Sequence, residues 1–445
     1  MTMNSISNIT PSAKRLISSM RDLGYEFSDA VAEIVDNSIQ ADANVIQVNL
    51  KFEGYESYLT VFDNGVGMTP MEIREAMRFG SMREYKKDDL GKFGLGLKTS
   101  SLSQCDLMTV SSRNLKKKIQ INSYSWDMDH INKFDRWEIL PVRDDRLLNS
   151  AFEHLNSTTG TAVIWQKLNR LLNFQDPKGS RAENDIKKLT QDLKISLGAT
   201  FHRYLTGEQK SKKVMIFVNG DLVESWDPFC RNEKNTLELE TFNIPITMDG
   251  KKGMIKFKPF ILPTQSQFSS LSSHMKAGGP AKWNKQQGFY IYRAGRLLQC
   301  GGWCGLRTSD EHSKLARILV EIPPGFDDLF KVNISKMKIN FPREIREETI
   351  SKIAPIIKKA NDVYRAHSDV SFLGASVYEA NEKYFEKLVN SSLAKFDREW
   401  ELKPGTVKIV FPKLYSNATP SERRALLRMF KRLAGEQKDS IKTLA

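Results

Sequence analysis

Two acids and an amide stand inside an otherwise apolar helical pattern near the start of the chain. In "AEIVDNSIQA", residues 32–41, Glu33 and Asn37 are four residues apart, so they share one face of a helix. An amide oxygen suits a Mg2+ ion that also binds phosphate oxygens and water, and a carboxylate one turn away suits removal of a proton from water. Asp36 is either a residue that supports this site or a surface acid. The pattern indicates hydrolysis of a phosphate compound.

A further carboxylate follows an apolar run in "VFDNGVGM", residues 61–68. Asp63 is expected at the end of a strand, and Gly65, Gly67 and Met68 come directly after it. A carboxylate at a strand end can accept a hydrogen bond from the exocyclic amine of a purine. The glycines would leave room there for a flat ring.

A glycine-rich loop precedes a helix in "GKFGLGLKTSS", residues 91–101. Gly91, Gly94, Leu95 and Gly96 allow backbone N–H groups to approach phosphate oxygens, because few side chains block them. Lys98 adds a cation close by. The three segments together predict a site for a purine nucleoside phosphate.

Hydrophobic spacing predicts the elements that carry these residues. We expect helices over 13–23, 28–41, 70–79 and from 180, and strands over 46–52, 58–62, 107–112, 119–124 and 161–166. Ser28 or Asp29 is the expected cap of the second helix, and Ser180 with Glu183 forms an expected capping box. Asn219-Gly220 predicts a hairpin after a strand at 214–218.

Composition changes suggest three regions. The first closes near residue 205, a β-rich region over 206–342 begins with the 219–220 hairpin, and helical spacing returns over 343–445. The stretch 264–287 is expected to be a mobile loop. A last helix near 419–435 has a strongly basic face.

The order E-x-x-x-N, D-x-G-x-G, G-x-x-G-x-G and a downstream G-T resembles the GHKL nucleotide-binding superfamily. "EIVDNSIQADA", "VFDNGVGMT" and "GKFGLGLKTSS" look most like the MORC ATPases, with MutL, gyrase-type topoisomerase subunits and heat-shock chaperone ATPases as relatives. The resemblance implies an α+β protein: a Bergerat-fold α/β sandwich that binds ATP, then a ribosomal-S5-like transducer domain and a mostly helical C-terminal region. It also implies a lid over about 78–92.

The resemblance assigns roles by position. Glu33 would be the general base, Asn37 the ligand of Mg2+, and Asp63 the acid that binds adenine, with Thr161 nearby. The loop glycines and Lys98 would contact phosphates. In the transducer, Lys336 in "VNISKMKINF" would reach the γ-phosphate, with Lys338 as the alternative; a surface lysine on a strand is the competing interpretation of Lys336.

Charge and composition restrict the partners. The chain has 445 residues and a formal net charge of +14, which fits either a phosphate-rich partner or a well-solvated basic face. Its four cysteines favour a reducing, cytoplasmic location without a disulfide framework. The N-terminus lacks the pattern of an export signal, and no stretch is apolar enough to span a membrane. We therefore expect no membrane partner.

The sequence leaves three functions open, and histidine phosphotransfer is not among them because Glu33 is acidic and residues 1–28 contain no histidine. The first is an ATP-driven homodimeric clamp on double-stranded DNA, of the kind that works beside an effector protein in bacterial defence against foreign DNA. The second is a chaperone-like ATPase that remodels proteins. The third is an ATP-licensed sensor with little hydrolysis.

Overall fold

The protein is described by a computed structural model. It describes residues 9–22, 24–80, 94–114, 121–142, 159–172, 176, 178–208, 213–248, 250–281, 283–323, 325–326, 329–330, 339 and 341–371, with the backbone alone for 367–371. The chain divides into two compact units, residues 1–361 and 362–445.

Strands of the first unit form two separate sheets in the described part of the chain. The helices are α1 (Ala13–Arg21), α2 (Phe27–Gln40), α3 (Pro70–Met77), α4 (Gly96–Gln104), α5 (Met128–Phe134), α6 (Ser180–Thr200), α7 (His202–Thr206), α8 (Leu271–Ala277), α9 (Trp283–Gln286) and α10 (Arg343–Ser371). The first sheet contains β1 (Val45–Lys51), β2 (Tyr58–Asp63), β3 (Leu107–Arg113), β4 (Asn122–Asp127), β5 (Leu140–Pro141), β6 (Gly160–Gln166), β7 (Met215–Val218) and β8 (Asp221–Leu222). The second contains β9 (Leu237–Glu238), β10 (Phe242–Met248), β11 (Lys251–Ile261), β12 (Gly288–Arg293), β13 (Arg296–Cys300) and β14 (Ala316–Glu321). The α+β class expected from sequence is confirmed.

The first sheet has the order β5-β4-β3-β6-β2-β1-β7-β8. Its described pairs are antiparallel except β1 with β7, which is parallel. One face packs against helices α1, α2, α4 and α6 through a continuous apolar core that includes Ile17, Ile34 and Leu197. Phe62, Ala162 and Ile164 form a small cluster of their own, away from that core. The result is a two-layer sandwich of helices over a mostly antiparallel sheet.

The predicted 219–220 hairpin is present, but it belongs to the first sheet. Asn219 and Gly220 both have positive φ, 49° and 87°, as a tight hairpin turn requires. The Asn219 side chain accepts a hydrogen bond from the Leu50 N–H (2.8 Å) and donates one to the Leu50 carbonyl (3.1 Å). Since β7 pairs with β1 rather than with the second sheet, our assignment of this hairpin to the β-rich region is wrong.

Two predicted helix caps are also wrong. Helix α2 begins at Phe27 after Glu26, without a side-chain cap, because burial of the Phe27 ring against Trp165 brings this residue into the first turn. Helix α6 follows Gly179 as its cap. The expected capping box fails there because Glu183 pairs with Lys187 instead.

The second sheet runs β10-β11-β14-β12-β13, with β9 also paired to β11. Strands β12 and β14 are parallel, and the other described pairs of this sheet are antiparallel. The stretch 264–287, expected to be a mobile loop, contains α8 and α9. The Trp283 ring stacks on His274 with centroids 4.7 Å apart, so aromatic packing orders a segment whose composition suggested a loop.

Several expectations fall on residues outside the described ranges. They are Gly91, most of the lid over 78–92, Lys336, Lys338 and the basic helix near 419–435. The domain boundaries at 205 and 342 stay predictions. No helix in the described part of the chain is long and apolar enough to cross a membrane.

Candidate functional site

Asp63 ends strand β2 and is held by three hydrogen bonds. Its Oδ1 accepts from the N–H groups of Gly65 (2.9 Å) and Thr161 (3.2 Å), and its Oδ2 accepts from the Ser38 hydroxyl (2.9 Å). Register explains the contact with Thr161, because these two residues face each other across β2 and β6. Ser38 approaches from α2. The carboxylate is therefore fixed by a helix and two strands at once.

The Asp63 carboxylate is only 4% exposed. Burial raises its pKa, and the hydrogen bonds from Gly65, Ser38 and Thr161 oppose that rise. An ionised carboxylate offers about four acceptor positions, and the three donors in the described part of the chain leave one of them for a ligand. The Asp63 carboxylate can therefore accept one further hydrogen bond, such as one from the N–H of an exocyclic amine.

Ser112 extends this network and was missed by the sequence analysis. Its hydroxyl donates to the Gly160 carbonyl (2.8 Å), and it accepts from the Met68 N–H (2.8 Å) and from the Thr161 hydroxyl (2.9 Å). Ser112 is fully buried in strand β3. A buried serine in a strand was the available signal, but the sequence alone does not show which neighbours it bonds.

The glycines after Asp63 permit close backbone contact. A Cβ atom at Gly65 would lie 2.6 Å from the Ala41 carbonyl oxygen and 3.0 Å from Asp63 Oδ1. At Gly67, where φ is +66°, a Cβ would lie 1.9 Å from the carbonyl oxygen of Arg113. Backbone of β3 therefore fills the space at Gly67, where we expected room for a flat ring.

Glu33, Asp36 and Asn37 of helix α2 differ in their exposure to solvent. Glu33 is 5% exposed and Asp36 is 1% exposed, whereas Asn37 is exposed. Asn37 keeps an amide oxygen accessible to a cation from solvent, which fits a Mg2+ ion that retains water ligands. Asp36 is not the surface acid that the sequence left open.

The N-terminus of α4 lies directly against Glu33. A methyl group added at Gly96 would lie 2.7 Å from Glu33 Oε2, so glycine is what allows this approach. Gly94 has a φ of +61°, and the Leu95 carbonyl accepts the first helical bonds from the N–H groups of Lys98 and Thr99, both at 3.0 Å. The loop therefore delivers a helix N-terminus, which favours anions, to the acidic face of α2.

Lys98 is buried, and its ammonium group bonds backbone carbonyls. Nζ donates to Ala76 O (2.9 Å) and to Gly94 O, so it ties the glycine loop to the end of α3. Burial lowers the pKa of Lys98 to about 8, while Glu75 acts in the opposite direction. These two carbonyls use two of the three N–H donors of the ammonium group, so one donor is left for a phosphate oxygen.

Arg296 also reaches this site, although no sequence motif indicated it. Its Nε lies 2.8 Å from Asp36 Oδ2, and one terminal nitrogen lies 3.7 Å from Glu33 Oε1. It begins strand β13 of the second sheet, more than 250 positions after α2. The structure thus brings Glu33, Asn37, Asp63, Thr161, Gly96 and Lys98 to one region, together with an arginine from the second sheet.

Comparisons with known proteins agree with this arrangement. Residues 25–161 match the family described as "Histidine kinase-, DNA gyrase B-, and HSP90-like ATPase". The chaperone protein HtpG of Alkaliphilus oremlandii is 24% identical over 250 residues, which is 50% of this chain and 36% of HtpG. ATPase MORC2B of Mus musculus is 36% identical over 78 residues, and ATPase morc-1 of Caenorhabditis elegans is 35% identical over 74 residues. Each MORC alignment spans 16% of this chain and 8% of the relative.

Among solved structures, the ATPase and transducer domains of DNA topoisomerase II from Balamuthia mandrillaris align with 77% of this chain and 86% of that one, at 11% identity and a TM-score of 0.41. The family match spans α2, β2 and the glycine loop, which carry the motifs, and ends at Thr161. Residues 25–161 therefore match a GHKL-type ATPase domain, and the chain is similar in part to MORC ATPases and to HtpG.

Proposed function

We propose that this chain binds ATP with Mg2+ and hydrolyses it as part of a conformational cycle. The observation that carries the proposal is the position of Asp63. A buried carboxylate with one acceptor position left lies one hydrogen bond from α2, the helix that also bears Glu33 and Asn37. Base recognition and hydrolysis would then depend on one rigid element.

Asp63 would accept a hydrogen bond from the adenine amine, with Thr161 and Ser112 holding it in place. The N-terminus of α4, with Gly94 and Gly96, would face the phosphates. Lys98 would direct its remaining N–H donor to a phosphate oxygen. This assignment explains why a lysine is buried at the start of a helix.

Asn37 is the residue that would bind Mg2+, which when present neutralises phosphate charge. Glu33 would take a proton from the attacking water, and its burial next to the α4 N-terminus keeps it in a fixed place. A positioned general base of this kind contributes about 10²–10⁴-fold to a rate. Glu33 is therefore the residue whose loss should separate binding from turnover.

The second sheet would serve as the transducer domain, and Lys336 would contact the γ-phosphate. ATP would close the lid and join two chains into a homodimer until hydrolysis releases them, since a ligand shifts a population toward the state it binds best. The net charge of +14 favours double-stranded DNA as the object clamped. A separate effector protein is the further partner we propose, in bacterial defence against foreign DNA.

A protein-remodelling role is the second candidate. The alignment with HtpG covers half of this chain, whereas the MORC alignments cover 16%. The longer alignment extends the likeness to a named chaperone beyond the nucleotide motifs. Under this alternative the client would be a protein rather than DNA.

Steady-state ATP hydrolysis by the wild-type chain and Glu33→Ala, with and without double-stranded DNA, tests these functions. Turnover that requires Glu33 and rises with DNA supports the clamp. Turnover that requires Glu33 but does not respond to DNA favours the chaperone-like role. If Glu33→Ala hydrolyses ATP at the wild-type rate, the proposed mechanism is wrong.

A further inference from the structure

The Arg296 side chain lies between the second sheet and the acidic face of α2. It is 4% exposed, and its short contact is with Asp36 at 2.8 Å. Its distance to Glu33, 3.7 Å, is within ion-pair range but too long for a hydrogen bond. Asp36 therefore anchors the guanidinium, and the positive charge of Arg296 attracts the Glu33 carboxylate at ion-pair distance.

The hairpin that carries Arg296 is itself held by α7 and by the residue that precedes α7. Ala294 and Gly295 both have positive φ, 48° and 85°, which forms a tight two-residue turn between β12 and β13. The Tyr204 hydroxyl of α7 donates to the Ala294 carbonyl at 2.5 Å. The Arg296 guanidinium carbon also lies 5.9 Å from the centre of the Phe201 ring. These contacts orient the Arg296 side chain toward α2.

The charge on Arg296 is maintained in this buried place. Burial lowers the pKa of its guanidinium, but Asp36, Glu33 and Asp29 outweigh burial and raise that pKa above its ordinary value. Buried ion pairs often stabilise a fold no better than apolar side chains of similar size. Stability alone therefore does not account for the three acids around this arginine.

We propose that Arg296, anchored by Asp36, is a positioning residue for ATP hydrolysis, which holds Glu33 in its working place by electrostatic attraction at 3.7 Å. The inference rests on the proposed role of Glu33 as the general base. It makes turnover depend on the docking of the second sheet, because Arg296 leaves α2 whenever that sheet moves away. Nucleotide binding through Asp63 does not depend on it.

The test compares Arg296→Met and Arg296→Lys with the wild type, using kcat for ATP and the affinity for a non-hydrolysable ATP analogue. We expect Arg296→Met to lose on the order of 10²-fold in kcat, as a small displacement of a reacting group can, with analogue affinity changed by less than about threefold. Arg296→Lys keeps a cation and should recover part of kcat. Asp36→Asn should resemble Arg296→Met.

Arg203→Met is the matched control. Arg203 is also a buried arginine that contacts the second sheet, pairing with Glu321 at 2.8 Å and lying 3.9 Å from the Tyr292 ring centre. It has no described contact with Glu33 or Asp36. Its loss should leave kcat near the wild-type value. Equal losses of kcat in Arg203→Met and Arg296→Met would show a general interface effect and overturn the proposal.

Glu33→Ala separates the two proposals. If Glu33→Ala loses turnover while a folded Arg296→Met retains the wild-type kcat, or exceeds it, the inference about Arg296 fails and the proposed function stands. If Glu33→Ala keeps turnover, the proposed role of Glu33 fails, and the inference about Arg296 fails with it. Combining both changes should lower kcat no further than Glu33→Ala alone; an additional full loss would mean that Arg296 acts elsewhere. If Arg296→Met does not fold, Arg296→Lys and Asp36→Asn decide by the same criteria.

Discussion

Replacing Asp63 with asparagine should strongly weaken ATP binding while leaving the fold intact. The amide oxygen can take the place of Oδ1 and accept from Gly65 and Thr161. The amide nitrogen then faces the Ser38 hydroxyl, whose single proton can turn from Asp63 to the Ile34 carbonyl, 3.2 Å away, so that the Ser38 oxygen accepts from the amide. All internal hydrogen bonds survive, and a buried charge is lost. The thermal midpoint should therefore stay the same or rise.

The effect on binding comes from the remaining acceptor position of Oδ2. In Asp63→Asn that position carries an N–H group. It would face the N–H of the adenine amine, and no acceptor would lie between these two donors. The loss of a hydrogen bond to a charged group, with a donor left unpaired, costs about 2–4 kcal/mol. This corresponds to a fall in ATP affinity of roughly 30- to 700-fold.

Titration calorimetry with a non-hydrolysable ATP analogue measures this change directly. Asp106→Asn is the control, because Asp106 is also a carboxylate bound by side chains, those of Arg21 and Asn169, but it lies away from the site. GTP adds a second comparison, since its base carries an acceptor where adenine has an amine, and its affinity should not fall in Asp63→Asn. ATP affinity within about threefold of the wild type in a folded Asp63→Asn would refute the assignment of Asp63 to adenine.

Three further predictions concern the rest of the site. Gly96→Ala should lower kcat by about 10- to 100-fold, because the new methyl group would displace Glu33 Oε2, 2.7 Å away. Thermal stability should change little, since alanine suits a helix. An unchanged kcat would mean that the position of Glu33 against α4 does not matter for turnover. The pKa of Lys98 is lowered to about 8, so its ammonium group deprotonates as the pH rises from 7 to 9. ATP affinity should therefore fall over that pH range in the wild type but not in Lys98→Arg. An ATP affinity that does not change with pH in either protein would contradict a phosphate contact of Lys98. Affinity for double-stranded DNA should fall at least about tenfold between about 50 and 200 mM salt, and insensitivity to salt would exclude binding driven by phosphates.

Local patterns predicted the parts of the site that depend on neighbouring residues. The i,i+4 spacing placed Glu33 and Asn37 on one helix, and the apolar run before Asp63 placed this carboxylate at a strand end, as observed. The turn at Asn219-Gly220 followed from its left-handed backbone preference. These inferences work because each depends on the geometry of a single element.

Contacts between distant elements were not predictable in the same way. The 219–220 hairpin was recognised, but nothing local shows that its strand pairs with β1. Ser112 looked like an ordinary residue of strand β3, although it links Thr161 to Met68. Arg296 follows a turn in a separate sheet and carries no motif. In each case the partner is set by sheet order and by packing between layers, which a single sequence does not state.

The geometry of α2 explains why its acids and amide occur at these spacings. In a helix of 3.6 residues per turn, Asn37 is rotated about 40° to one side of Glu33 and Asp36 about 60° to the other. Asp36 thus faces Arg296 of the second sheet, and Asn37 faces solvent. Glu33 lies between them, against the N-terminus of α4 and within ion-pair range of Arg296. The Glu33 carboxylate therefore has two neighbours that can change its position. One is the ligand that binds at Asn37, and the other is Arg296, whose place depends on the docking of the second sheet. Removal of either neighbour should therefore act on turnover through Glu33.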